Sequence, residues 1–234
     1  MKKFTLTLLA LLALAPFAEA QAKKKGADGK AVPSKKASAG PEAMALQDKY
    51  YERVQIPTPP GEVVEVSSIA LLPGKKVAIA SRRGDVWVCE GAYEADVTKV
   101  KWTKFASNLH EPLGMFYKGG SLYLTQRPEH TRLTDTDGDG KADVFDTICA
   151  KWGINGDYHE YAFGTDPDKD GNVWVVLCLT GSFHAYSPWR GWCVRITPEG
   201  KMIPTTSGIR SPGGIGMNEK SDVFYTDNQG VWNG

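Results

Sequence analysis

A two-strand phrase recurs through this chain at near-constant spacing, and it restricts the fold more than any other feature. Each copy runs from a polar step through a glycine-containing apolar strand and a turn to an aromatic-rich strand. The copies are Glu111-Pro-Leu-Gly-Met-Phe with Leu122-Tyr-Leu-Thr, Glu160-Tyr-Ala-Phe-Gly with Val173-Trp-Val-Val, and Ser211-Pro-Gly-Gly-Ile-Gly with Val223-Phe-Tyr-Thr. A degenerate earlier copy is Val66-Ser-Ser-Ile-Ala-Leu with Val77-Ala-Ile-Ala. From Val77 the second strand returns in steps of 45, 51 and 50 residues. Paired short strands at such a period predict an all-β propeller of four-stranded antiparallel blades. The blades fall at about 63–109, 110–150, 158–209 and 210–234, and the fourth stops after two strands. About three and a half blades are thus present, and the chain reads as a truncated propeller rather than one that another chain completes. The only candidate helix is 42–53.

The ends have a different character. Met1-Lys2-Lys3, an apolar run from Phe4 to Ala18 and the step Ala18-Glu19-Ala20 read as a signal peptide over 1–20. The run is shorter than the ~20 apolar residues of a membrane span, and no later stretch is suited to crossing a bilayer. The expectation is an exported bacterial protein, periplasmic or extracellular, with no transmembrane segment after cleavage. Residues 21–45 are rich in Lys and Ala and hold no aromatic residue, as expected of a disordered tether, which leaves 46–234 for the partial propeller. Eight of the 28 Lys and Arg, but only two of the 27 Asp and Glu, lie in 1–41; residues 42–234 therefore carry a net −5, with no basic bias towards nucleic acid.

The cysteines are Cys89, Cys149, Cys178 and Cys193. No Cys-x-x-Cys occurs, which excludes c-type haem attachment and a zinc ribbon within this chain. Cys178 and Cys193 can face each other across a hairpin and form a disulfide, or remain thiols; Cys89 and Cys149 read as unpaired strand residues.

In a meandering blade the connections before strand one and after strand two share a face. That face collects His110-Glu111, Gln126-Arg127, His159-Glu160, the loop 179–192, Arg210 and Asp227-Asn228-Gln229. His110-Glu111 and His159-Glu160 stand at matching places before two inner strands, and an imidazole beside a carboxylate can act as a general base or bind a metal. Capping of the strands is the alternative. Loop 179–192 carries His184, Trp189 and Arg190 among other aromatic groups, a surface suited to a flat cofactor or a sugar ring. The opposite face receives ordinary turns and one sharper motif, Asp135-Thr-Asp137-Gly-Asp139-Gly-Lys141-Ala-Asp143-Val-Phe-Asp146. Asp135, Asp137, Asp139, Asp143 and Asp146 occupy positions 1, 3, 5, 9 and 12 of a calcium loop, with the Lys141 carbonyl at 7. The expectation is a structural calcium clip. Asp166-Pro-Asp168-Lys-Asp170-Gly171 copies only the first half of that pattern and reads as a hairpin turn.

Tyr158-His159-Glu-Tyr-Ala-Phe-Gly164, followed by Asp170-Gly-Asn-Val-Trp-Val, resembles the inner-blade motif of the glucose/sorbosone dehydrogenases. These are six-bladed quinoproteins that use pyrroloquinoline quinone (PQQ) and calcium. Glu111-Pro-Leu-Gly with Leu122-Tyr, the segment from Arg132 to Asp143, and Ser211-Pro-Gly-Gly-Ile-Gly with Tyr225-Thr-Asp-Asn-Gln-Gly are similar to one subgroup. It comprises the exported "membrane-bound dehydrogenase"-type propellers of planctomycete-like bacteria, which often carry a c-type haem domain. The resemblance implies oxidation of a sugar or polyol, with a c-type haem domain or cytochrome as electron acceptor. By position, His159 would be the base, supported by Glu160, His110 and Glu111. Arg190 and Arg210 would pair with the cofactor's carboxylates, with Trp189 and Gln229 beside it. The alternatives are a metal-dependent lactonase-like hydrolase using Asp227 and Asn228, and a non-catalytic propeller that binds carbohydrate or protein.

Overall fold

The computed structural model describes residues 48–51, 54–94, 96–179 and 186–228. The expected signal peptide and tether lie outside them, as do His184 and Gln229. Of the candidate helix 42–53 only residues 48–51 are described, and 48–50 form a turn.

Residues with period-two alternation form fourteen strands. The first sheet holds β1 (Val66–Leu72), β2 (Lys76–Ser81), β3 (Val86–Glu90) and β4 (Lys101–Ala106). The second holds β5 (Met115–Lys118), β6 (Ser121–Thr125), β7 (His130–Thr134) and β8 (Val144–Cys149). The third holds β9 (Ala162–Gly164), β10 (Val173–Leu177), β11 (Trp192–Ile196) and β12 (Met202–Ser207). A two-stranded sheet follows, β13 (Pro212–Met217) with β14 (Val223–Asp227). Each sheet is an antiparallel meander in chain order, the architecture of propeller blades. Two short 3-10 turns, Pro73–Lys75 and Val97–Lys99, are the helical elements among the described residues. Local chemistry sets the turns. Between β5 and β6, Gly119 and Gly120 both take positive φ (58° and 89°), as the tightest hairpin requires.

The core lies between blades, because alternate residues of a strand face opposite neighbours. Leu122, Leu124 and Leu133 point at the first sheet and fit over its small Ala70, Ala78 and Ala80. Their strand neighbours Phe116 and Tyr123 point the other way, where Val175, Leu177, Val194 and Ile196 meet them. Val176 and Cys193, on the far face of the third sheet, pack with Ile209 against Ile215 and Tyr225 of the last one. Fully burying one such aliphatic side chain contributes about 1.5–3 kcal/mol. The first strands of successive sheets line the inner edge, with β1 against β5 and β9 against β13.

Register decides the cysteine question. Val176, not Cys178, stands opposite Cys193, so the facing pair is not formed. All four cysteines are buried thiols, and burial pushes Cys178 and Cys193 up to about 11.

His130 is the buried histidine of the second sheet. It stacks on Phe116 and Tyr123 at 6.0 and 6.2 Å, and its Nδ1 lies 3.1 Å from Thr125 Oγ1. Burial holds the imidazole down at about 4, against 6.5 when free. The unfolded chain therefore binds this proton at higher pH than the folded one. Its contribution is present above pH ~6.5 and is lost as pH falls towards ~4, on the order of 3 kcal/mol. Urea unfolding at pH 7 and pH 4.5 should show a steep loss for the native chain and a shallower one for His130→Phe, which keeps the stacking. Parallel losses would contradict this assignment.

Candidate functional site

The segments leading into β5, β9 and β13 meet the residues that follow β2, β6, β10 and β14 at one end of the inner strands. One backbone rule builds this mouth. A residue one or two positions past the second strand donates its N–H to the lead-in of the first: Arg82 to Glu65 O (2.9 Å), Arg127 to His110 O (3.0 Å), Cys178 to Tyr161 O (3.0 Å) and Asn228 to Ser211 O (3.1 Å). The repeat thus puts two arginines in equivalent positions.

Their side chains link the blades. Arg82 pairs with Glu65 and Glu111, each at 2.9 Å, and Arg127 Nη1 binds the other oxygen of Glu111 at 2.7 Å. Arg127 Nη2 donates to the carbonyl of Asp157, and its guanidinium lies over the Tyr161 ring at 5.5 Å. Glu111 has φ 47°, a left-handed conformation costly for a residue with a Cβ, and its carboxylate is held by both arginines.

His159 stands at the rim with its side chain 32% exposed. The Asp157 carboxylate accepts from the His159 backbone N–H at 2.8 Å and lies 2.9 Å from Nδ1. An ionised carboxylate only accepts, so Nδ1 carries the proton, and in the neutral ring Nε2 then holds the lone pair. The exposed Tyr158 ring lies over the imidazole, with centroids 3.7 Å apart. A carboxylate, an exposed phenol ring and an imidazole are thereby brought together on three consecutive residues.

The other expected site residues are placed differently. Glu160 is fully buried and accepts from the backbone of Asn155 (2.8 Å) and Gly156 (3.2 Å) and from Ser187 Oγ (3.2 Å). Arg190 is buried 4.0 Å from it and donates to the carbonyls of Gly153, Glu160, Tyr161 and Arg127. Desolvation, only partly offset by Glu160, holds this guanidinium down at about 10. The two form an internal strut, so the structure puts neither where a ligand would meet it. His110 is exposed, and its N–H is capped by Gln126 Oε1 at 2.7 Å. Nor do His110 and His159 match: Arg127 bonds His110 O where Cys178 bonds Tyr161 O. The tight turn at 157–161 (Glu160 N to Asp157 O, Tyr161 N to His159 O) shifts the third lead-in by two residues. Trp189 is partly exposed and packs edge-on against Trp192 at 5.4 Å. The Arg210 N–H is held by Asp227 at 3.1 Å.

Across the sheets from the mouth, the acidic loop joins β7 to β8. Carboxylate oxygens of Asp135, Asp137 and Asp143 lie within 4.8 Å of one another. Asp139 is turned to the Lys141 N–H at 2.8 Å. Asp146, expected to close the loop, instead binds Arg132 at 2.6 and 3.0 Å, because β-pairing sets those two residues opposite each other. Asp168 is a turn residue, accepting from Asn172 and Trp174 Nε1.

Sequence reasoning missed Asp157, Arg82 and Glu65. Asp157 precedes His159 by two residues, the spacing of a local side-chain-to-backbone turn. Arg82 and Arg127 were discoverable by aligning the residue that follows Val77-Ala-Ile-Ala-Ser with the one that follows Leu122-Tyr-Leu-Thr-Gln.

The chain belongs to the DUF7133 family, a domain of unknown function, which matches residues 36–233. No curated protein matches it. Solved propellers are similar in fold. The PQQ-bound aldose sugar dehydrogenase of Streptomyces coelicolor has a TM-score of 0.53 at 15% identity, over 71% of this chain and 57% of that one. The holo PQQ domain of Coprinopsis cinerea pyranose dehydrogenase has a TM-score of 0.58 at 13% identity, over 76% and 49%. A Thermus thermophilus protein described as an oxidoreductase (glucose dehydrogenase) has a TM-score of 0.52 at 18% identity, over 69% and 58%. The chain spans about half to three-fifths of the length of these structures. At such identities the likeness establishes the propeller fold.

Proposed function

We propose that this DUF7133 propeller acts on a sugar or polyol, with His159 accepting the proton of a substrate hydroxyl. The observation that carries the reading is the Asp157–His159 pair at 2.9 Å, half-exposed at the mouth beside Tyr158. Asp157 fixes the tautomer, Nε2 takes the proton, and the resulting imidazolium is stabilised by the carboxylate behind it. The face of Tyr158 suits the C–H side of a pyranose ring. The fold shared with the Streptomyces and Coprinopsis dehydrogenases supports an oxidation, whose hydride needs a two-electron acceptor, and the PQQ of those proteins is the class we propose. Three arginines of this end, Arg82, Arg127 and Arg190, do not fit its carboxylates. Arg82 and Arg127 are engaged by Glu65 and Glu111, and Arg190 by backbone carbonyls.

That engagement favours a second reading, a propeller that binds carbohydrate without chemistry. The hydrolase alternative has less support, because Asp227 is used as a cap: it accepts from the N–H groups of Arg210, Ser211 and Asn228. Dye reduction with a panel of aldoses and polyols, after incubation with PQQ and calcium, separates the readings. His159→Ala should lower turnover by at least 100-fold while His110→Ala leaves it within threefold. Turnover that survives His159→Ala contradicts the base assignment, and sugar binding without turnover in the native chain establishes the binding reading.

We also infer that the loop 135–143 takes calcium as a clip between β7 and β8, through Asp135, Asp137 and Asp143. Desolvation works against the Asp135 carboxylate, yet the N–H groups of Gly140 and Gly138 hold it below its usual range, so it is charged at neutral pH. Calcium at 100 times its Kd should stabilise the fold by ~2.7 kcal/mol, and Asp135→Asn should remove the increment. Identical melting in calcium and in chelator would leave an acidic turn.

A further inference from the structure

Resting on the assignment of His159 as the proton acceptor, we propose that Arg127 is its positioning residue, acting from the neighbouring blade through the backbone of Asp157. A single residue carries both ends of the connection. The carbonyl of Asp157 accepts from Arg127 Nη2, and its carboxylate holds His159 Nδ1 at 2.9 Å. Fixing the carbonyl fixes the Asp157 backbone, and with it the oxygen that selects the imidazole tautomer.

Arg127 is itself immobilised from several sides. Its side chain is only 9% exposed, Glu111 holds Nη1 at 2.7 Å, and Tyr161 lies beneath the guanidinium. Its own carbonyl accepts from Trp152 Nε1 at 2.7 Å and from Arg190 Nη2 at 3.2 Å. Glu111 adopts its left-handed φ of 47° while binding Arg82 and Arg127 together. The Nε of Arg127 is buried with no hydrogen-bond partner. A left-handed Glu and a buried unpaired donor both work against stability, so the arrangement is better explained by the turn it orients than by its own strength. Arg82 occupies the same place in the first blade and ends on Glu111. Only the Arg127 copy leads to a titratable ring. The fork of an arginine reaches Glu111 and the Asp157 carbonyl simultaneously, which the single ammonium of a lysine does not.

The test is nitrogen NMR of the histidine rings in the full chain at pH 8, with exposed His110 as internal reference. Native His159 should be a single tautomer protonated on Nδ1. Arg127→Lys, which keeps the charge, should give a mixture of tautomers, and Glu111→Gln should shift it the same way if the lysine variant does not fold. Where sugar turnover is measurable, Arg127→Lys should lower kcat about 10- to 100-fold with KM little changed. A folded Arg127→Lys that keeps the Nδ1–H tautomer overturns the positioning role, whatever the turnover. A tautomer mixture in a chain whose native form neither binds nor oxidises sugar upholds the positioning and rejects the substrate reading.

Discussion

Two bare stretches of backbone, at Gly114 and Gly164, meet where the second and third blades touch, and the mouth depends on that approach. Gly164 N–H donates to Leu113 O at 3.2 Å across the blades. A Cβ on Gly114 would come within 2.6 Å of Gly164 O, and one on Gly164 within 2.0 Å of Thr125 Oγ1. Any side chain would hold the inner strands apart. Glu111 lies three residues before one glycine, and Asp157 and His159 lie seven and five before the other. The contact therefore sets how far Arg127 must reach to touch both.

Charged groups at this end serve two purposes that burial separates. Glu160 and Arg190 are withdrawn from water, and desolvation is the largest influence on the guanidinium. Removing two ions from water is costly, so the pair is sustained by the backbone N–H groups and carbonyls that saturate it. It fastens residues 187–190 to the 153–161 segment. Glu65, Arg82, Glu111 and Asp157 stay at least one-fifth exposed. There each attraction is weaker, and what the chain of contacts supplies is orientation.

Much of the fold was legible because one rule, period-two alternation, decides both strand and facing. Leu122, Tyr123 and Leu124 announce a strand with two occupied faces, and the 45- to 51-residue return of that pattern announces blades. The site was less legible. His159 stood out as a histidine beside a carboxylate at the start of an inner strand, but Asp157 looked like any loop aspartate, since its role depends on a turn only two residues long. Arg190, in its aromatic-rich loop, and Glu160, beside His159, looked like ligand-facing groups; their burial follows from how 186–190 lies against 153–161. Asp146 fitted the calcium spacing, yet β8 begins early enough to give it to Arg132. The matching of His110 with His159 failed at the extra turn before β9, which sequence spacing does not reveal.

The claim most exposed to test is that the mouth around Asp157, Tyr158 and His159 receives a polyhydroxylated ligand. Amide and histidine-ring NMR shifts, followed while the isotope-labelled chain is titrated with aldoses and polyols, address it without requiring turnover. The largest saturable shifts are predicted at 157–161 and on the His159 ring, with the loop 135–143 unmoved. Absence of shifts at 157–161, or shifts confined to the acidic loop, would contradict it.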